Sequence, residues 1–328
     1  MHTRSFPADG RPVSEVGLGC WQIGSQWGTV SDEQAEAVLQ AAHDHGVTFF
    51  DTADVYGEGL SEQRVAAFLQ RTGARPFVAT KCGRFPRPGF PENFEFDVMR
   101  EHVLASRERL GVEMLDLVQL HCVPPEQLER GAVFDHLRRL RDEGVLRHWG
   151  ASVESVAEAE RCLQESDCAS LQIIFNVLRQ TPAVSGLLDR AAESETAVIV
   201  RLPLASGLLS GRMTADRKFA EDDHRNYNRD GGAFHVGETF AGLPLDRALR
   251  IVDDIGPMLG ADEGMAAASV RWILDHPAVT TVIPGATRAE QVVENCRASA
   301  MAPLATETHD RLRTYWAADV QPFVRGND

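Results

Sequence analysis

Short apolar runs alternate with amphipathic segments from about residue 17 to residue 298. The runs are rich in β-branched residues and resemble buried parallel strands, whereas the segments between them have the three- and four-residue apolar spacing of helices. The first predicted strand begins the core at residue 17 and ends before Trp21, and the others span residues 47–50, 77–80, 115–120, 147–151, 170–175, 197–202 and 280–283. The predicted helices span residues 32–45, 61–70, 97–110, 133–144, 156–165, 186–193 and 289–298, with two more between residue 242 and the last strand.

Strands that are each followed by a helix predict an α/β protein with a (β/α)8 TIM barrel, in a single domain of residues 1–328. A doubly wound sheet is disfavoured because no G-x-G-x-x-G motif opens the first β–α turn. The ADGR sequence at residues 8–11 is a turn signal that predicts an N-terminal β-hairpin cap. A C-terminal helix near residues 307–317 is expected beyond the barrel.

The composition of the chain excludes several classes of partner and of site. The chain has 328 residues and a formal net charge of −15, an acid excess that argues against a nucleic-acid or anionic-membrane partner but not against a local basic pocket. No apolar run is long enough to cross a bilayer, and the N-terminus lacks signal-peptide features, so we expect a cytoplasmic protein. The six cysteines form no C-x-x-C pair, which argues against zinc and against a disulfide framework. No assembly signature indicates an oligomeric state.

Polar residues stand where the predicted strands end. Asp51 and Tyr56 follow the second strand, Lys81 the third and His121 the fourth. The carboxyl ends of strands are where barrel enzymes hold their catalytic groups. Taken alone, this stretch is equally compatible with a catalytic site and with a structural role, in which Asp51 caps the next helix and Tyr56 packs under it. The only other lysine is Lys218, which makes a lysine at a strand end more notable.

Together these four residue types suit the protonation of a carbonyl oxygen. A tyrosine with an ordinary pKa of about 10 is a reluctant acid at neutral pH. A lysine ammonium stabilises the phenolate and lowers that pKa, and an aspartate keeps the ammonium charged and in place. A neighbouring histidine can orient the carbonyl. Such a site also requires a source of hydride.

The motifs that surround these residues resemble those of the aldo-keto reductases over nearly the whole chain. They are GLGCW at 17–21, FDTADVYG at 50–57, ATK at 79–81, DLVQLH at 116–121 and IPGATR at 283–288. The resemblance implies a catalytic tetrad of Asp51, Tyr56, Lys81 and His121, with Tyr56 as the proton donor. It also implies binding of NADPH or NADP⁺ without a Rossmann domain.

The resemblance assigns cofactor contacts less uniformly. Ser152 and Gln172 match the residues that bind the nicotinamide carboxamide, but Val153 stands where the family has asparagine. Arg201 replaces the tyrosine that stacks on nicotinamide in many members, which predicts relatively weaker binding of the oxidised cofactor. The full set of expected cofactor residues is Gly19, Cys20, Trp21, Asp51, Ser152, Gln172, Arg201, Leu202, Pro203, Leu204, Ala205, Gly207, Arg212, Pro284, Gly285, Ala286, Thr287, Arg288, Gln291 and Asn295.

Small residues after the seventh strand would let a pyrophosphate approach backbone N–H groups, and the last strand leads into a helix N-terminus that favours an anion. A plain helix cap is the alternative for that segment. Arg288 is the best candidate for the 2′-phosphate. Gly285 and Gln291 stand where the family often has basic residues, so we expect only a modest preference for NADPH.

The substrate is a small carbonyl compound of undetermined kind. Trp21, Gln22, Tyr56, Phe85 and His121 are expected to line its pocket, and the 218–242 segment forms either a lid or a solvated connection. Two other functions remain open: a Schiff-base lyase that uses Lys81, and a slow or non-catalytic cofactor-binding sensor or accessory subunit.

Overall fold

The computed structural model describes residues 1–24, 27–260 and 264–326. A two-stranded antiparallel hairpin precedes eight parallel strands, which pair in chain order. The hairpin strands are β1 (Thr3–Ser5) and β2 (Pro12–Ser14). The parallel strands are β3 (Leu18–Gly19), β4 (Phe49–Asp51), β5 (Phe77–Cys82), β6 (Leu115–His121), β7 (Leu146–Ser152), β8 (Ser170–Ile174), β9 (Ala197–Arg201) and β10 (Val279–Val282).

The barrel closes between its first and last strands. Parallel bridges join Val16 to Val282 and Gly19 to Gly285, and the Gly17 N–H donates to the Val282 carbonyl over 2.8 Å. The predicted (β/α)8 architecture is therefore confirmed. The first strand of the barrel, β3, is only two residues long, and the Cys20 N–H that follows it still donates to the Asp51 carbonyl over 2.8 Å.

Helices surround the barrel and begin close to the predicted positions. They are α1 (Asp32–Asp44), α2 (Leu60–Thr72), α3 (Phe96–Leu110), α4 (Pro125–Arg130), α5 (Ala132–Asp142), α6 (Val156–Leu163), α7 (Thr181–Val184), α8 (Leu187–Glu193), α9 (His224–Tyr227), α10 (Leu245–Leu259), α11 (Met265–Leu274), α12 (Ala289–Arg297) and α13 (Thr306–Tyr315). α4, α7 and α9 are short helices in connections that showed no helical period in the sequence. Among these helices none is both long and apolar enough to cross a membrane.

The predicted hairpin closes the amino-terminal end of the barrel. Phe6, in the turn between β1 and β2, is fully buried and its ring lies 4.6 Å from that of Phe77 on β5. With Phe49, Leu117 and Ile199 it belongs to an apolar cluster inside the barrel. A filled lower barrel leaves the carboxyl ends of the strands as the open end, where polar side chains can gather.

The strand register sets those side chains at one level. Gly19 pairs with Asp51, Lys81 with Gln119, and Ser152 with both His121 and Gln172. Because side chains alternate along each strand, this register determines which residues point together into the barrel mouth.

Candidate active site

The centre of the site is an ion pair between Lys81 and Asp51. Lys81 Nζ lies 2.5 Å from Asp51 Oδ1, 2.8 Å from the Thr52 carbonyl oxygen and 3.2 Å from the Tyr56 hydroxyl. Burial lowers the pKa of Lys81, but Asp51 and Tyr56 raise it by more, so the net pKa is raised and the ammonium stays charged. The charge is thus fixed next to the phenol.

Asp51 is held from its other side by two amides. Gln172 Nε2 donates to Asp51 Oδ2 over 2.7 Å and Gln119 Nε2 over 3.2 Å. The carboxylate is almost fully buried, and these donors offset its loss of water. Sequence reasoning missed Gln119, although it stands two residues before His121 and so shares its face of β6.

The environment of Tyr56 differs from the expectation in one respect. Burial raises the pKa of Tyr56 to about 12, and the Lys81 charge lowers it only in part. The expected net lowering is therefore wrong for this structure, because desolvation outweighs the ammonium. A phenol with this pKa is fully protonated at neutral pH, which suits a proton donor.

His121 faces Tyr56, with the two rings 5.7 Å apart and nearly perpendicular. Burial lowers the pKa of His121 well below its ordinary value, and the charges of Lys81, Arg84 and Arg201 lower it further. The imidazole is therefore neutral and keeps one N–H with which to donate to an oxygen. Trp21 stacks against Tyr56 at 5.9 Å and covers its other side.

These groups open into a cleft of about 780 Å³. Its volume is suited to a ligand of cofactor or drug size. Most of the residues expected to bind cofactor line it: Gly19, Trp21, Asp51, Gln172, Arg201, Leu202, Pro203, Leu204, Gly207, Arg212, Pro284, Gly285, Ala286, Thr287, Arg288, Gln291 and Asn295. Cys20, Ser152 and Ala205 are buried beside it.

Two of the predicted pocket residues have contrasting positions. Gln22 lines the cleft, and its Oε1 is buried without a hydrogen-bond partner among the described residues. A Cβ on Gly285 would lie 1.8 Å from that oxygen, so a side chain there would collide with Gln22. Phe85, by contrast, turns away and packs on His102 at 5.1 Å. Phe85 is not among the residues that line the cleft, so the structure does not support its expected place in the pocket.

The backbone after β9 is unusual. Leu202, Ala205 and Ser206 have left-handed φ values of 53°, 46° and 58°, followed by Gly207 at 94°. Such residues orient successive N–H groups towards one side, as in anion-binding turns. Ser206 Oγ also donates to the Glu238 carbonyl over 3.0 Å and connects this turn to the long segment after it.

At the start of α12, Gln291 satisfies part of the backbone. Its Oε1 accepts from the Thr287 N–H over 2.8 Å and from the Arg288 N–H over 3.2 Å. Fewer N–H groups are therefore free for an anion than the sequence suggested. The Arg288 side chain is exposed at the cleft, and the described residues give it no ion pair, whereas Arg212 pairs with Glu294 at 2.9 Å.

Arg201 extends from β9 into a group of acidic and thiol side chains. Its guanidinium lies 3.4 Å from Glu238 Oε1, 3.5 Å from Cys122 Sγ and 3.2 Å from the Val153 carbonyl oxygen. Cys122, Glu154 and Glu238 have ligand atoms within 4.8 Å of one another, a spacing that could hold a metal ion. Arg201 already supplies a positive charge to two of these three groups.

The segment at 218–242 forms a wall of the cleft through Arg225, Tyr227, Ala233, Phe234 and Glu238. His224 lies 4.9 Å from Trp21 and 4.3 Å from Trp27. The structure thus favours the lid interpretation over a solvated connection, although whether the segment moves stays a prediction. Trp27, Arg84, Phe234 and Glu238 were not foreseen, because loop residues carry no periodic signal.

A second carboxyl group lies below the cleft. Asp54 is fully buried, and neither of its oxygens has a hydrogen-bond partner within the described residues. Burial raises the pKa of Asp54 to about 8, and the nearby Glu62 raises it as well. Glu62 is itself held by Thr80 at 2.5 Å and Arg109 at 2.6 Å. Asp54 is therefore largely protonated at neutral pH.

Comparison with known proteins agrees with this geometry. The chain matches the profile of the Aldo/keto reductase family over residues 15–317. It is 29% identical to D-threo-aldose 1-dehydrogenase from Pseudomonas sp, over 90% of this chain and 92% of that protein. An aldo-keto reductase from Bacillus halodurans in its holo form superposes with a TM-score of 0.76 at 25% identity, covering 96% of each chain. An aldo/keto reductase from Klebsiella pneumoniae in complex with NADP and acetate gives 0.70 at 22%, covering 100% of this chain and 98% of that one.

Proposed function

The chain belongs to the aldo/keto reductase family, and on that premise we propose that it reduces aldehydes or ketones to alcohols with NADPH, using Tyr56 as the proton donor. The observation that carries this proposal is the position of Lys81 Nζ, within hydrogen-bond reach of both Asp51 and the Tyr56 hydroxyl at the wall of a large cleft. A single buried ammonium thus connects a fixed carboxylate to the phenol.

The side chains divide the work of protonation. Tyr56 donates its hydroxyl proton to the carbonyl oxygen, and the adjacent Lys81 ammonium stabilises the phenolate that forms. Asp51 keeps Lys81 in place and charged. The neutral His121 donates a hydrogen bond that orients the carbonyl. Bound NADPH supplies the hydride.

The cleft has features that fit a dinucleotide. In the left-handed turn at Leu202–Gly207 the Ala205 and Gly207 N–H groups donate within the turn, which leaves the other N–H groups of the turn as candidates for a pyrophosphate. Arg288 has no ion pair among the described residues and is a candidate cation for a 2′-phosphate. The buried Arg201 Nε and Gln22 Oε1 have no partners within the described residues, which suits polar contacts to a ligand. Ser152 Oγ and Gln172 Oε1 lie 3.5 Å apart and are the expected partners of a carboxamide. NADPH preference over NADH is expected to be modest.

Imine chemistry at Lys81 is less well supported. A nucleophilic lysine must be neutral, but the pKa of Lys81 is raised overall by Asp51 and Tyr56 despite its burial. Its Nζ is already surrounded by Asp51, the Thr52 carbonyl and Tyr56. These contacts leave little room for attack on a carbonyl carbon.

The proposal is tested by assaying a panel of aldehydes and ketones with NADPH and with NADH. Tyr56→Phe should lower kcat/KM about 10²- to 10⁴-fold, whereas quenching of protein fluorescence by NADPH should remain. Tyr315→Phe is the matched control, because Tyr315 is on α13 and its hydroxyl donates to the exposed Asp254 over 2.6 Å.

Unchanged reduction by Tyr56→Phe would overturn the assigned proton donor. A wild-type protein that binds NADPH but reduces no member of the panel would instead favour the sensor or accessory role. If borohydride traps a covalent adduct between a substrate and Lys81, the lyase function would be supported instead.

A further inference from the structure

Arg84 brings an unused cation to the substrate side of the cleft. It follows β5 by two residues and its side chain lines the cleft. Its guanidinium packs over the Phe234 ring, 5.7 Å from the centroid, and its nearest acid is Glu238 at 3.7 Å. Within the described part of the chain it makes no hydrogen bond. A guanidinium has five N–H donors, so these are available to a ligand.

The local charge balance is positive although the whole chain is acidic. Arg84 and Arg201 share one carboxylate, Glu238, at 3.7 Å and 3.4 Å. Burial raises the pKa of Glu238, but Arg201 and Arg84 lower it by more, so it is ionised. Burial and then Glu238 raise the pKa of Glu154 to about 7, so Glu154 is only partly ionised at neutral pH. Two cations therefore face little more than one negative charge.

An aromatic wall connects Arg84 to the reaction centre. Trp21 stacks on Tyr56 at 5.9 Å, and the Phe234 ring lies 6.2 Å from that of Trp21 at an angle of 64°. Arg84 contacts Phe234 in turn, and its charge reaches His121 strongly enough to lower the pKa of that imidazole, after burial and Lys81. A flat substrate with its carbonyl at Tyr56 can thus lie along this wall with its other end at Arg84.

We propose that Arg84 recognises the substrate, and that the preferred carbonyl compounds carry an anionic group, a carboxylate or a phosphate, at the end remote from the carbonyl. The planar fork of a guanidinium matches both groups with two parallel hydrogen bonds. This inference rests on the proposed reductase function and adds a substrate class to it.

The test compares matched aldehydes with NADPH. One pair is 4-carboxybenzaldehyde and its neutral methyl ester, and the other is 4-formylphenyl phosphate and 4-methoxybenzaldehyde. In wild type the preferred anionic aldehyde should have the higher kcat/KM of its pair, and comparison of the two pairs identifies carboxylate or phosphate. Arg84→Met should lower its kcat/KM about 10- to 100-fold, mainly through KM, and change the neutral partner less than about threefold.

Two further variants separate recognition from folding. Arg84→Lys keeps the charge without the fork and should recover part of the anionic preference. Arg87→Met is the control, because Arg87 is on the same loop but exposed and paired with Glu58.

The inference would be overturned if Arg84→Met lowered kcat/KM equally for charged and neutral aldehydes, or if wild type preferred the neutral partners. If wild type reduces none of the four aldehydes but does reduce other members of the wider panel, the inference fails and the reductase function stands; if it reduces no member of the wider panel either, both fail. If it reduces them without regard to charge, the reductase function stands and only the role of Arg84 is lost.

Discussion

The two walls of the cleft are built in different ways. The wall from the ends of β4 to β8 is a buried network in which Asp51 bonds Lys81 at 2.5 Å and Gln172 at 2.7 Å. The wall from the loops relies on looser contacts, such as those of Glu238 with Arg201 at 3.4 Å and with Arg84 at 3.7 Å. Charges in the first wall are part of the protein core, so changing them affects folding and chemistry together. Arg201 and Glu238 in the second wall are buried as well, but their ion pairs are longer, so changing one of these charges should cost less stability than changing Asp51.

Asp51→Asn should have the largest effect, because it leaves the buried Lys81 ammonium without its counter-ion. We expect a loss of about 3–5 kcal/mol in the free energy of unfolding, measured by urea denaturation, together with at least about a 100-fold loss of kcat. The double variant Asp51→Asn/Lys81→Met removes both charges and should recover most of the stability but none of the activity. An Asp51→Asn protein of unchanged stability would show that the network does not support the fold.

Asp54→Asn tests the second buried carboxyl through pH. Since burial raises the pKa of Asp54 from 3.8 to about 8, the native state retains a proton that the unfolded state releases. Its contribution to stability is therefore fully present below about pH 4 and is lost as the pH rises through about 8. Between about pH 5 and about pH 9 the variant should gain stability relative to wild type, on the order of a few kcal/mol. If the difference in the free energy of unfolding between the variant and wild type were the same at both pH values, this protonation state of Asp54 would be contradicted.

Glu238→Gln examines the loop wall. Without its counter-ion, the Arg201 cation should disfavour the positively charged nicotinamide of NADP⁺ more than the neutral ring of NADPH. The ratio of the Kd for NADP⁺ to that for NADPH should rise about tenfold in fluorescence titrations. The free energy of unfolding should fall by about 1–3 kcal/mol, less than for Asp51→Asn, because the buried Glu238 pairs with Arg201 at the longer distance of 3.4 Å. Glu58→Gln, at an exposed ion pair, provides the control. A loss of stability as large as that of Asp51→Asn would remove the distinction between the two walls.

Arg288→Ala should have the smallest effect. The exposed side chain is expected to bind a 2′-phosphate, so affinity for NADPH should fall about three- to tenfold while affinity for NADH stays nearly constant. Arg297→Ala, on the other end of α12, is a suitable control in the same titrations. Equal weakening of both cofactors by Arg288→Ala would place the phosphate contact elsewhere.

The same contrast explains what could be predicted from the sequence. Asp51, Lys81 and His121 come together because their strands have a repeating register, and that register follows from apolar periodicity. Tyr56 lies in the turn that follows β4 and reaches the same site from there. The raised pKa of Tyr56 could not be predicted, since it depends on how deeply the phenol is buried. Arg84 and Glu238 approach each other only through the path of a loop more than 150 residues farther along the chain.

The seam between the first and last strands has a consequence for how the protein is made. Gly19 and Gly285, which are joined across the seam, form adjacent parts of the cofactor cleft. During synthesis the residues around Gly19 leave the ribosome long before their partners exist, and pairing over such a sequence separation is intrinsically slow. The nascent barrel must therefore wait, open along one edge, until translation has passed residue 285. The cleft is completed in that step, so the growing chain cannot hold the cofactor until the residues around Gly285 have been made and paired.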